Sequence, residues 1–588
     1  MTAALHTSAS DSSIVGTLAK TIFAPLSGLP FLVQLLLGTL ALLSGWMLYN
    51  IAISPLSRYP GPLSARLGIP FWRFWHTLQG DYAPALYALH KEHGHVVRIG
   101  PTHLSFSDPA AMNSIYSLSD GTSSKFRKSN FYRSFQVFKS NPSIFSERDP
   151  HQHSKRRRAV AGAYSMTSLV KLEEYVEDVS ELLLKRLDEL VETQAVVDKE
   201  GEGEQEKVKT KAIQLDPWFH YFAMDVVGEL AFGQSFNLLH RGKDDERFLT
   251  GVLNLSQWGA VAGCMPLLSS WILWLFPRVT GQPGGSVIGD KTTSRIQTRY
   301  AEVEDNGGMA SRPDMLTKFM EARDPDTKQK YSMKQVLFSA SSVMSAGSDT
   351  TATSLTIFFG YLLENPRCYA KLREEINAAA ESGNLSSPVK YAKGSQLDYL
   401  QACIKEALRL SPPISMDLPR YVPAGGSIIG RNPYAIPAGT TVGISPYVLH
   451  RNTEAFGADA ELYRPERWLE GGEEGRKAME RYNMTFGGGS RACIGKNISL
   501  MELSKIIPEI LLRYDIKKPA INPEALSHPV ASTKKAAAKQ PFFQGRSCWF
   551  LEAHVSRSFG CIISRRDEIE TNILTKYLLF VAGHRICT

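Results

Sequence analysis

The sequence predicts a mainly helical fold with small β-sheets, an α+β class, behind an N-terminal transmembrane helix. Helical spacing of apolar residues dominates the 588-residue chain. Two short runs, residues 96–99 and 104–106, flank Gly100-Pro101 and indicate a β-hairpin. An apolar run of 23 residues, Phe31–Ile53, is long enough to cross a bilayer.

The composition excludes several protein classes. The chain is 43% hydrophobic and 21% charged and has no glycine repeat, so it is not collagen-like or wholly disordered. Its 66 basic and 58 acidic side chains give a net charge of +8. This small excess is spread along the chain, so no nucleic-acid partner is expected. The seven cysteines form no C-x-x-C pair, which argues against disulfide or zinc frameworks and favours a reducing compartment.

The apolar run near the N-terminus is interpreted as an uncleaved membrane anchor. No charge lies between Lys20 and Arg58, and Phe31–Ile53 would form about 34 Å of helix. Trp46 and Tyr49 lie near its end, where interfacial aromatic residues are found. The alternative is a signal peptide, but its apolar region is usually shorter and follows a basic segment. Basic residues follow the run here, which places the bulk of the chain in the cytosol.

A second apolar segment, residues 252–276, leaves three interpretations open. It contains Trp258, Trp271 and Trp274, but also Pro266 and several polar residues. It could be a second membrane span, a core helix, or a surface that dips into lipid and controls ligand entry.

One long helix carries an unusual polar segment. Met333–Glu364 has helical spacing, and residues 346–351 combine a glycine, an acid and two threonines, which are poor helix formers. The Thr350 hydroxyl would reach the carbonyl oxygen of Ala346 and open a notch for a diatomic molecule and a water. Asp349 would then pass protons inward. The alternative is a solvent-facing patch rich in threonine.

Two short motifs indicate an ion network. Glu406 and Arg409 are three residues apart in a helical stretch and would lie on one face. Arg467, within residues 463–468, supplies a third candidate member. Each motif alone is weak.

The most specific pattern is residues 486–495, F-G-G-G-S-R-A-C-I-G. Three glycines allow the backbone to approach a large flat group. Arg491 supplies a cation for a carboxylate, and N–H groups around Cys493 would stabilise a metal-binding thiolate. A phosphate-binding loop is excluded because no Gly-Lys-Ser/Thr ending follows.

These ten residues match F-x-x-G-x-R-x-C-x-G, and the chain thereby resembles the cytochrome P450 family. The order of anchor, proline-rich segment, A-G-x-D-T-T helix, E-x-x-R helix, P-E-R-W segment and cysteine loop is also similar. The resemblance covers residues 55–555 and implies the cytochrome P450 fold. The expected divisions are an N-terminal tail (1–28), the anchor (29–53), a proline-rich hinge (54–64), a catalytic domain (65–555) and an atypical C-terminal tail (556–588).

The resemblance implies haem b held by an axial thiolate from Cys493. Arg491 and Arg420 would pair with the haem propionates. The family usually has a tryptophan and, four residues later, an arginine as a further clamp; His153 and Arg157 stand there in this chain. A metal pair of His151 and His153 is the alternative. The expected cofactor-binding residues are Cys493, Arg491, Arg420, Arg157, His153, Phe486, Gly489 and Gly495.

The same resemblance assigns catalytic and structural roles. Thr350 would activate oxygen, with Asp349 as its proton-relay partner. Glu406, Arg409 and Arg467 would hold the haem-side core. A lipophilic substrate would contact residues between 121 and 150, residues 252–276, the helix before Ala346, and residues 414–418.

The implied activity is a haem-thiolate monooxygenase that places one atom of O2 in the substrate. NADPH-derived electrons would arrive through a separate NADPH-cytochrome P450 reductase, with cytochrome b5 as a second donor. Similarity to fungal pisatin demethylase-like enzymes suggests secondary-metabolite tailoring in the endoplasmic reticulum membrane, single-pass, with the catalytic domain in the cytosol. The alternatives are an isomerase or dehydratase that needs no reductase, and a non-enzymatic haem-binding membrane protein.

The C-terminus departs from the family pattern. Residues 567–588 add an apolar stretch where such chains have usually ended, so the usual substrate contact from the C-terminal hairpin is in doubt.

Overall fold

The computed structural model describes residues 30–116, 125–136, 142–197, 208–210, 213–281, 286–308, 310, 312–518 and 560–565. The N-terminal tail, part of the expected substrate loop before residue 150, and most of the C-terminal tail lie outside these described residues. The mainly helical α+β class predicted from the sequence is confirmed.

The α-helices account for most of the described residues. In chain order they are α1 (Phe31–Leu48), α2 (Leu63–Arg66), α3 (Phe71–Gln79), α4 (Tyr82–His93), α5 (Pro109–Tyr116), α6 (Pro150–Val160), α7 (Met166–Leu169), α8 (Glu173–Gln194), α9 (Asp216–Phe232), α10 (Leu238–Arg241), α11 (Phe248–Cys264), α12 (Ser269–Thr280), α13 (Ser286–Asp305), α14 (Met315–Glu321), α15 (Met333–Glu364), α16 (Pro366–Glu381), α17 (Tyr391–Gly394), α18 (Asp398–Leu410), α19 (Pro446–Leu449), α20 (Thr453–Phe456), α21 (Gly472–Tyr482) and α22 (Lys496–Arg513).

The strands are short and form three sheets. They are β1 (Val96–Gly100), β2 (His103–Phe106), β3 (Arg127–Lys128), β4 (Ala195–Val197), β5 (Val208–Thr210), β6 (Ile213–Gln214), β7 (Arg420–Tyr421), β8 (Thr441–Ile444), β9 (Tyr514–Lys517) and β10 (Gly560–Arg565). The largest sheet has the order β1-β2-β8-β7-β3. Its β1–β2 pair is the predicted hairpin, antiparallel with Val96 opposite Phe106. The other sheets have the orders β6-β10-β9 and β4-β5.

Helix α15 is the central element of the helical core. It begins at a capping box, in which the Ser332 side chain accepts from the Gln335 N–H, and it ends before Asn365-Pro366. Its bounds are those predicted from the sequence. Helix α9 packs closely against it, because a Cβ on Gly347 would lie only 2.7 Å from Cγ2 of Val227. This close approach fixes which α9 side chains meet the polar segment of α15.

The C-terminal end of the anchor candidate is hydrogen-bonded to strand β1 of the largest sheet. Among the described residues, Phe31–Ile53 is the one helix long and apolar enough to cross a membrane. It ends in a wider π-helical turn that buries Asn50. The Arg98 guanidinium of β1 donates to Asn50 Oδ1 at 2.7 Å and to its carbonyl oxygen at 2.9 Å. Trp46 Nε1 also donates to the carbonyl oxygen of Gly68 at 3.2 Å.

The structure divides the apolar segment 252–276 into two different parts. Helix α11 is mostly buried, whereas α12 begins after Pro266 and leaves large apolar side chains exposed. Leu267 is 97% and Trp271 is 69% exposed. The second-span interpretation finds no support in the described residues, since their one candidate span is the N-terminal helix. The first half is core, and the second half is an exposed apolar surface.

Candidate active site

The cysteine loop is a tight turn set by its glycines. The Cys493 N–H donates to the carbonyl oxygen of Phe486 at 2.8 Å and closes the loop. Gly487 and Gly489 have φ values of +72° and +61°, where L side chains are strained. A Cβ on Gly489 would lie 2.0 Å from the carbonyl oxygen of Tyr116, so only glycine fits there.

The Cys493 sulfur lies at the start of α22, within reach of several positive groups. The backbone N–H groups of Gly495 and Lys496 donate to it, and the Arg157 charge acts on it. Burial nevertheless dominates and raises the pKa of the thiol above its ordinary value. A bound metal cation would reverse this balance, because metal coordination deprotonates a thiol outright. The donors and the nearby charge therefore suit a metal-bound thiolate.

The clamp expected from His153 and Arg157 lies on α6, one turn apart. Arg157 Nη1 donates to the carbonyl oxygen of Ala492 at 2.7 Å, so this arginine supports the cysteine loop directly. His153 is buried, and burial together with Arg491 and other cations lowers its pKa to about 2. The ring is therefore a neutral donor. In the described part of the chain, no group of three or more His, Cys, Asp and Glu residues could hold a metal ion. The His151–His153 pair combines an exposed and a buried ring and stays an alternative.

A cluster of buried cations lies beside this clamp. Arg491 Nη1 donates to the carbonyl oxygen of Glu147 at 2.6 Å, and burial and Arg420 lower the pKa of Arg491 to about 10. The same causes lower the pKa of Lys128 well below its usual value. Arg420 is buried, and its Nε has no hydrogen-bond partner among the residues that the structure describes. Mutually repelling buried cations of this kind fit an anionic group, and two haem propionates supply such carboxylates.

Lys128 was missed by the sequence interpretation. It lies on β3, inside the region assigned to substrate contact, and nothing in its local sequence marks it. Its place is set by the antiparallel pairing of Lys128 with Arg420, which brings two distant basic residues together.

The polar segment of α15 has the expected local bond. Thr350 Oγ1 donates to the carbonyl oxygen of Ala346 at 2.8 Å. Ala346 is exposed and Thr350 half-buried, although most residues on the following turns of the helix are buried. Asp349 is buried, and its carboxylate lies against His220 of α9, with 3.6 Å between Oδ1 and Nε2. The sequence interpretation did not include this histidine.

The predicted ion network is assembled in the core. Arg409 donates to both Glu406 oxygens at 2.8 and 2.9 Å, and Arg467 Nε donates to Glu406 Oε1 at 2.8 Å. Trp468 Nε1 adds a fourth bond to Glu406 at 2.9 Å. All three charged side chains are buried, so their mutual pairing offsets a large desolvation cost.

His450 connects this network to the cysteine loop. No motif or residue spacing predicted a role for this histidine. Its Nδ1 lies 2.8 Å from the carbonyl oxygen of Arg409, and its Nε2 accepts from the Met484 N–H at 2.7 Å. Met484 lies two residues before the cysteine loop, and its carbonyl oxygen accepts from the Gly487 N–H. The ion network therefore positions the start of this loop through one buried ring.

The expected substrate segment 414–418 contains a buried ionic cluster. Asp417 accepts a hydrogen bond from the Tyr82 hydroxyl, and its carboxylate lies 2.7 Å from His103 Nε2 and 3.7 Å from Arg73, within ion-pair distance. Arg73, Tyr82 and His103 come from α3, α4 and β2, respectively. The segment is thus tied to the N-terminal part of the domain and is less apolar than expected.

A glycine-shaped cysteine loop with thiolate-directed donors, beside a cationic cluster suited to carboxylates, defines a helical haem-thiolate protein. The family model described as Cytochrome P450 matches residues 66–538. The chain is 38% identical over 475 residues to the cytochrome P450 monooxygenase cicH of Emericella nidulans, covering 78% of this chain and 88% of that protein. It is 31% identical over 479 residues to the pisatin demethylase of Fusarium vanettenii, covering 80% and 86%.

A third relative is the cytochrome P450 monooxygenase gsfF of Penicillium aethiopicum, 33% identical over 490 residues, covering 80% of this chain and 90% of that protein. The chain belongs to the cytochrome P450 family and is a P450 monooxygenase. Membership implies haem iron with a cysteine thiolate, a redox partner and a small-molecule substrate.

Proposed function

We propose that this protein is a membrane-anchored monooxygenase that inserts one oxygen atom from O2 into a lipophilic small molecule. The reaction would be a tailoring step in fungal secondary-metabolite biosynthesis, as similarity to fungal monooxygenases suggests. The observation that carries the proposal is the Cys493 sulfur, which accepts two backbone N–H bonds in a loop that only glycine allows.

Cys493 would hold haem iron, and Arg491, Arg420, Arg157 and His153 would bind and orient the haem carboxylates. When bound, the haem supplies the iron at which dioxygen is activated, and thiolate ligation favours O–O cleavage. Lys128 joins this anion-binding set on the evidence of its burial among the same cations. Phe486, Gly489 and Gly495 would shape the loop around the ligand.

Thr350 and Asp349 would handle protons on the opposite side of the site. The Thr350 hydroxyl, held by the Ala346 carbonyl oxygen, offers its oxygen to a bound water or dioxygen. Asp349 would be the acid behind it. Glu406, Arg409 and Arg467 would have no chemical role; they would maintain the shape of the loop that presents Cys493.

The membrane and the reductase would lie on different faces. The anchor would cross the endoplasmic reticulum membrane once. The exposed side chains of α12 and the turn before it, such as Trp271 and Leu267, would dip into the cytosolic leaflet. NADPH-cytochrome P450 reductase, with cytochrome b5 as a second donor, would dock on basic residues of α6. Lys155 pairs with Asp324 at 3.0 Å, whereas Arg158 is 60% exposed and lies 3.9 Å from Asp326, so Arg158 is the better candidate contact.

The experiment has two stages. The first records the carbon monoxide difference spectrum of the reduced full-length protein beside Cys493→Ala and, as a matched control, Cys368→Ala, a buried cysteine on α16. We expect a thiolate-type Soret band in the wild type and the control, and no such band in Cys493→Ala. A thiolate band that persists in Cys493→Ala would refute the ligand assignment.

The second stage supplies reductase, NADPH and a panel of lipophilic fungal intermediates, with products read by mass spectrometry. We expect products that gain one oxygen atom and require both reductase and NADPH. Turnover without reductase would refute the monooxygenase proposal in favour of isomerase or dehydratase chemistry.

A further inference from the structure

A buried histidine outside the predicted motifs lies behind the acid of α15. His220, on α9, is 6% exposed, and Asp349 is 1% exposed. Their Nε2 and Oδ1 atoms are 3.6 Å apart, within ion-pair distance, and a shift of less than about 1 Å would give a hydrogen bond. The close packing of α9 against α15 at Gly347 holds the two side chains together.

The second ring nitrogen determines where the protons of His220 lie. Nδ1 is 2.9 Å from the carbonyl oxygen of Asp216, and a carbonyl oxygen can only accept, so Nδ1 carries a hydrogen. Nε2 is therefore the nitrogen that gains or loses a proton. It faces Asp349, and neither carboxylate oxygen has a hydrogen-bond partner among the described residues. The two groups thus share one exchangeable proton, as an imidazolium with a carboxylate or an imidazole with a carboxylic acid.

The charges around the ring favour retention of this proton. Burial alone would lower the pKa of His220, but Asp349 of α15 and Asp216 of its own helix outweigh burial and raise it above the ordinary value. Asp225, farther along α9, accepts from the N–H groups of Leu238 and Leu239 instead. The Asp349 and Asp216 carboxylates therefore favour the protonated form of His220.

We propose that His220 is a positioning residue and a proton reserve for Asp349. It holds the carboxyl group in place and returns a proton to it whenever one passes from Asp349 toward Thr350. In each cycle the shared proton leaves the Asp349 O–H as H+ toward Thr350, one H+ from solvent is taken up at the vacant Nε2 of His220, and the Nε2–H passes that H+ to the carboxylate, which restores the pair. No electrons move in these steps. The inference rests on the proposed roles of Asp349 and Thr350.

The test compares His220→Asn, Asp349→Asn and the double variant in the haem-loaded full-length protein with reductase, NADPH and O2 as the only co-substrates. Asparagine retains a donor for the Asp216 carbonyl oxygen but places no atom at the Nε2 position. The matched control is His90→Asn, a buried histidine bonded to Gly94 and Ser105 away from α15. NADPH oxidation, peroxide release and the solvent deuterium isotope effect are measured from about pH 6 to pH 9.

We expect NADPH oxidation in His220→Asn to fall about tenfold, less than the ~100-fold or more for a direct acid or base. Its peroxide fraction should rise with pH, because no second group then holds a proton that can be returned to Asp349. The isotope effect should increase, and the His220 change should add nothing in the Asp349→Asn background. His90→Asn should leave all three readouts unchanged. A His220→Asn variant with lower haem content but the wild-type pH profile and isotope effect would show a merely structural role and overturn the proposal.

A second readout does not depend on turnover. Nitrogen-15 NMR of histidine-labelled protein in the reduced carbon monoxide form follows the titration of the His220 ring. We expect Asp349→Asn to lower its titration midpoint, and an unchanged midpoint would overturn the proposal. If Asp349→Asn leaves the peroxide fraction unchanged, the proposed role of the acid itself fails. If Asp349→Asn changes it and His220→Asn does not, only the role of His220 fails.

Discussion

Replacement of His450 by phenylalanine should remove a pH-dependent part of the stability of the cysteine loop. The ring is fully buried, with Nδ1 donating to the Arg409 carbonyl oxygen and Nε2 accepting from the Met484 N–H. The bond to Nε2 needs a neutral ring, because both nitrogens of a protonated ring carry hydrogens. Burial and the charges of Arg409 and Arg451 lower its pKa to about 3.

The magnitude follows from these contacts. At neutral pH, His450→Phe leaves the buried Met484 N–H without an acceptor and the Arg409 carbonyl oxygen without this donor, which costs about 2–4 kcal/mol in total. The pKa of His450 is lowered in the folded chain, so below about pH 6.5 the unfolded chain binds a proton that the folded chain does not. The wild type therefore loses about 1.4 kcal/mol of this contribution for each pH unit of acidification. The variant lacks this loss, so its deficit should shrink at low pH.

The assay is urea unfolding of the haem-loaded protein at about pH 7.5 and pH 5.5, followed by the thiolate-type carbon monoxide band. His151→Phe, which replaces an exposed histidine in the first turn of α6, is the control for the substitution itself. The difference in unfolding free energy between wild type and His450→Phe should fall by about 1.4 kcal/mol between the two pH values. A difference that stays constant would show that the folded ring titrates normally and refute the reasoning.

Three further predictions concern other buried or strained positions. Glu502 is fully buried, and its carboxyl group has no hydrogen-bond partner among the described residues. Burial raises the pKa of this carboxyl well above its usual value. In the folded chain Glu502 therefore stays protonated, whereas in the unfolded chain it ionises as the pH rises above about 4.5. Glu502→Gln should therefore raise the urea midpoint at neutral pH and not at about pH 4. Gly489→Ala should abolish haem incorporation, measured as the thiolate-type band per polypeptide, whereas Gly475→Ala, with open space around it, should not. Asn50→Leu removes an acceptor from the buried Arg98 and should cost about 1.5–3 kcal/mol in urea unfolding.

The sequence predicted best those features that depend on residues close together in the chain, such as helix ends and short motifs. The bounds of α15 could be predicted because a capping serine precedes it and Asn365-Pro366 ends it. The cysteine loop could be predicted because Gly489 and Cys493 lie within one short segment. The Glu406–Arg409 pair has helical spacing, and its third member lies in another recognisable motif.

The residues that were missed are brought to the site by packing between distant elements. His220 reaches Asp349 only because α9 crosses α15 at Gly347, and no spacing within α9 marks this residue. Lys128 joins the cation cluster through strand pairing with Arg420. Likewise, apolar composition alone could not predict which of residues 252–276 are buried and which are exposed. The break near Pro266 separates a buried helix from an exposed one, and burial is a property of the fold.

The site has two electrostatically unfavourable features, the Cys493 thiol and the cluster of buried cations, and one ligand could stabilise both. Burial keeps the Cys493 thiol protonated, since its pKa is raised in spite of the Gly495 and Lys496 N–H groups. Arg491 and Lys128 repel neighbouring cations, and their pKa values are lowered. A ligand with a metal cation at one position and carboxylates at another would relieve both features at once. Because such a ligand binds only the folded chain, its binding free energy adds to folding stability. The cysteine and the basic residues are therefore energetically coupled through the cofactor. A charge-removing substitution such as Arg491→Gln should lower the haem content per polypeptide more than it lowers the unfolding free energy of the haem-free chain.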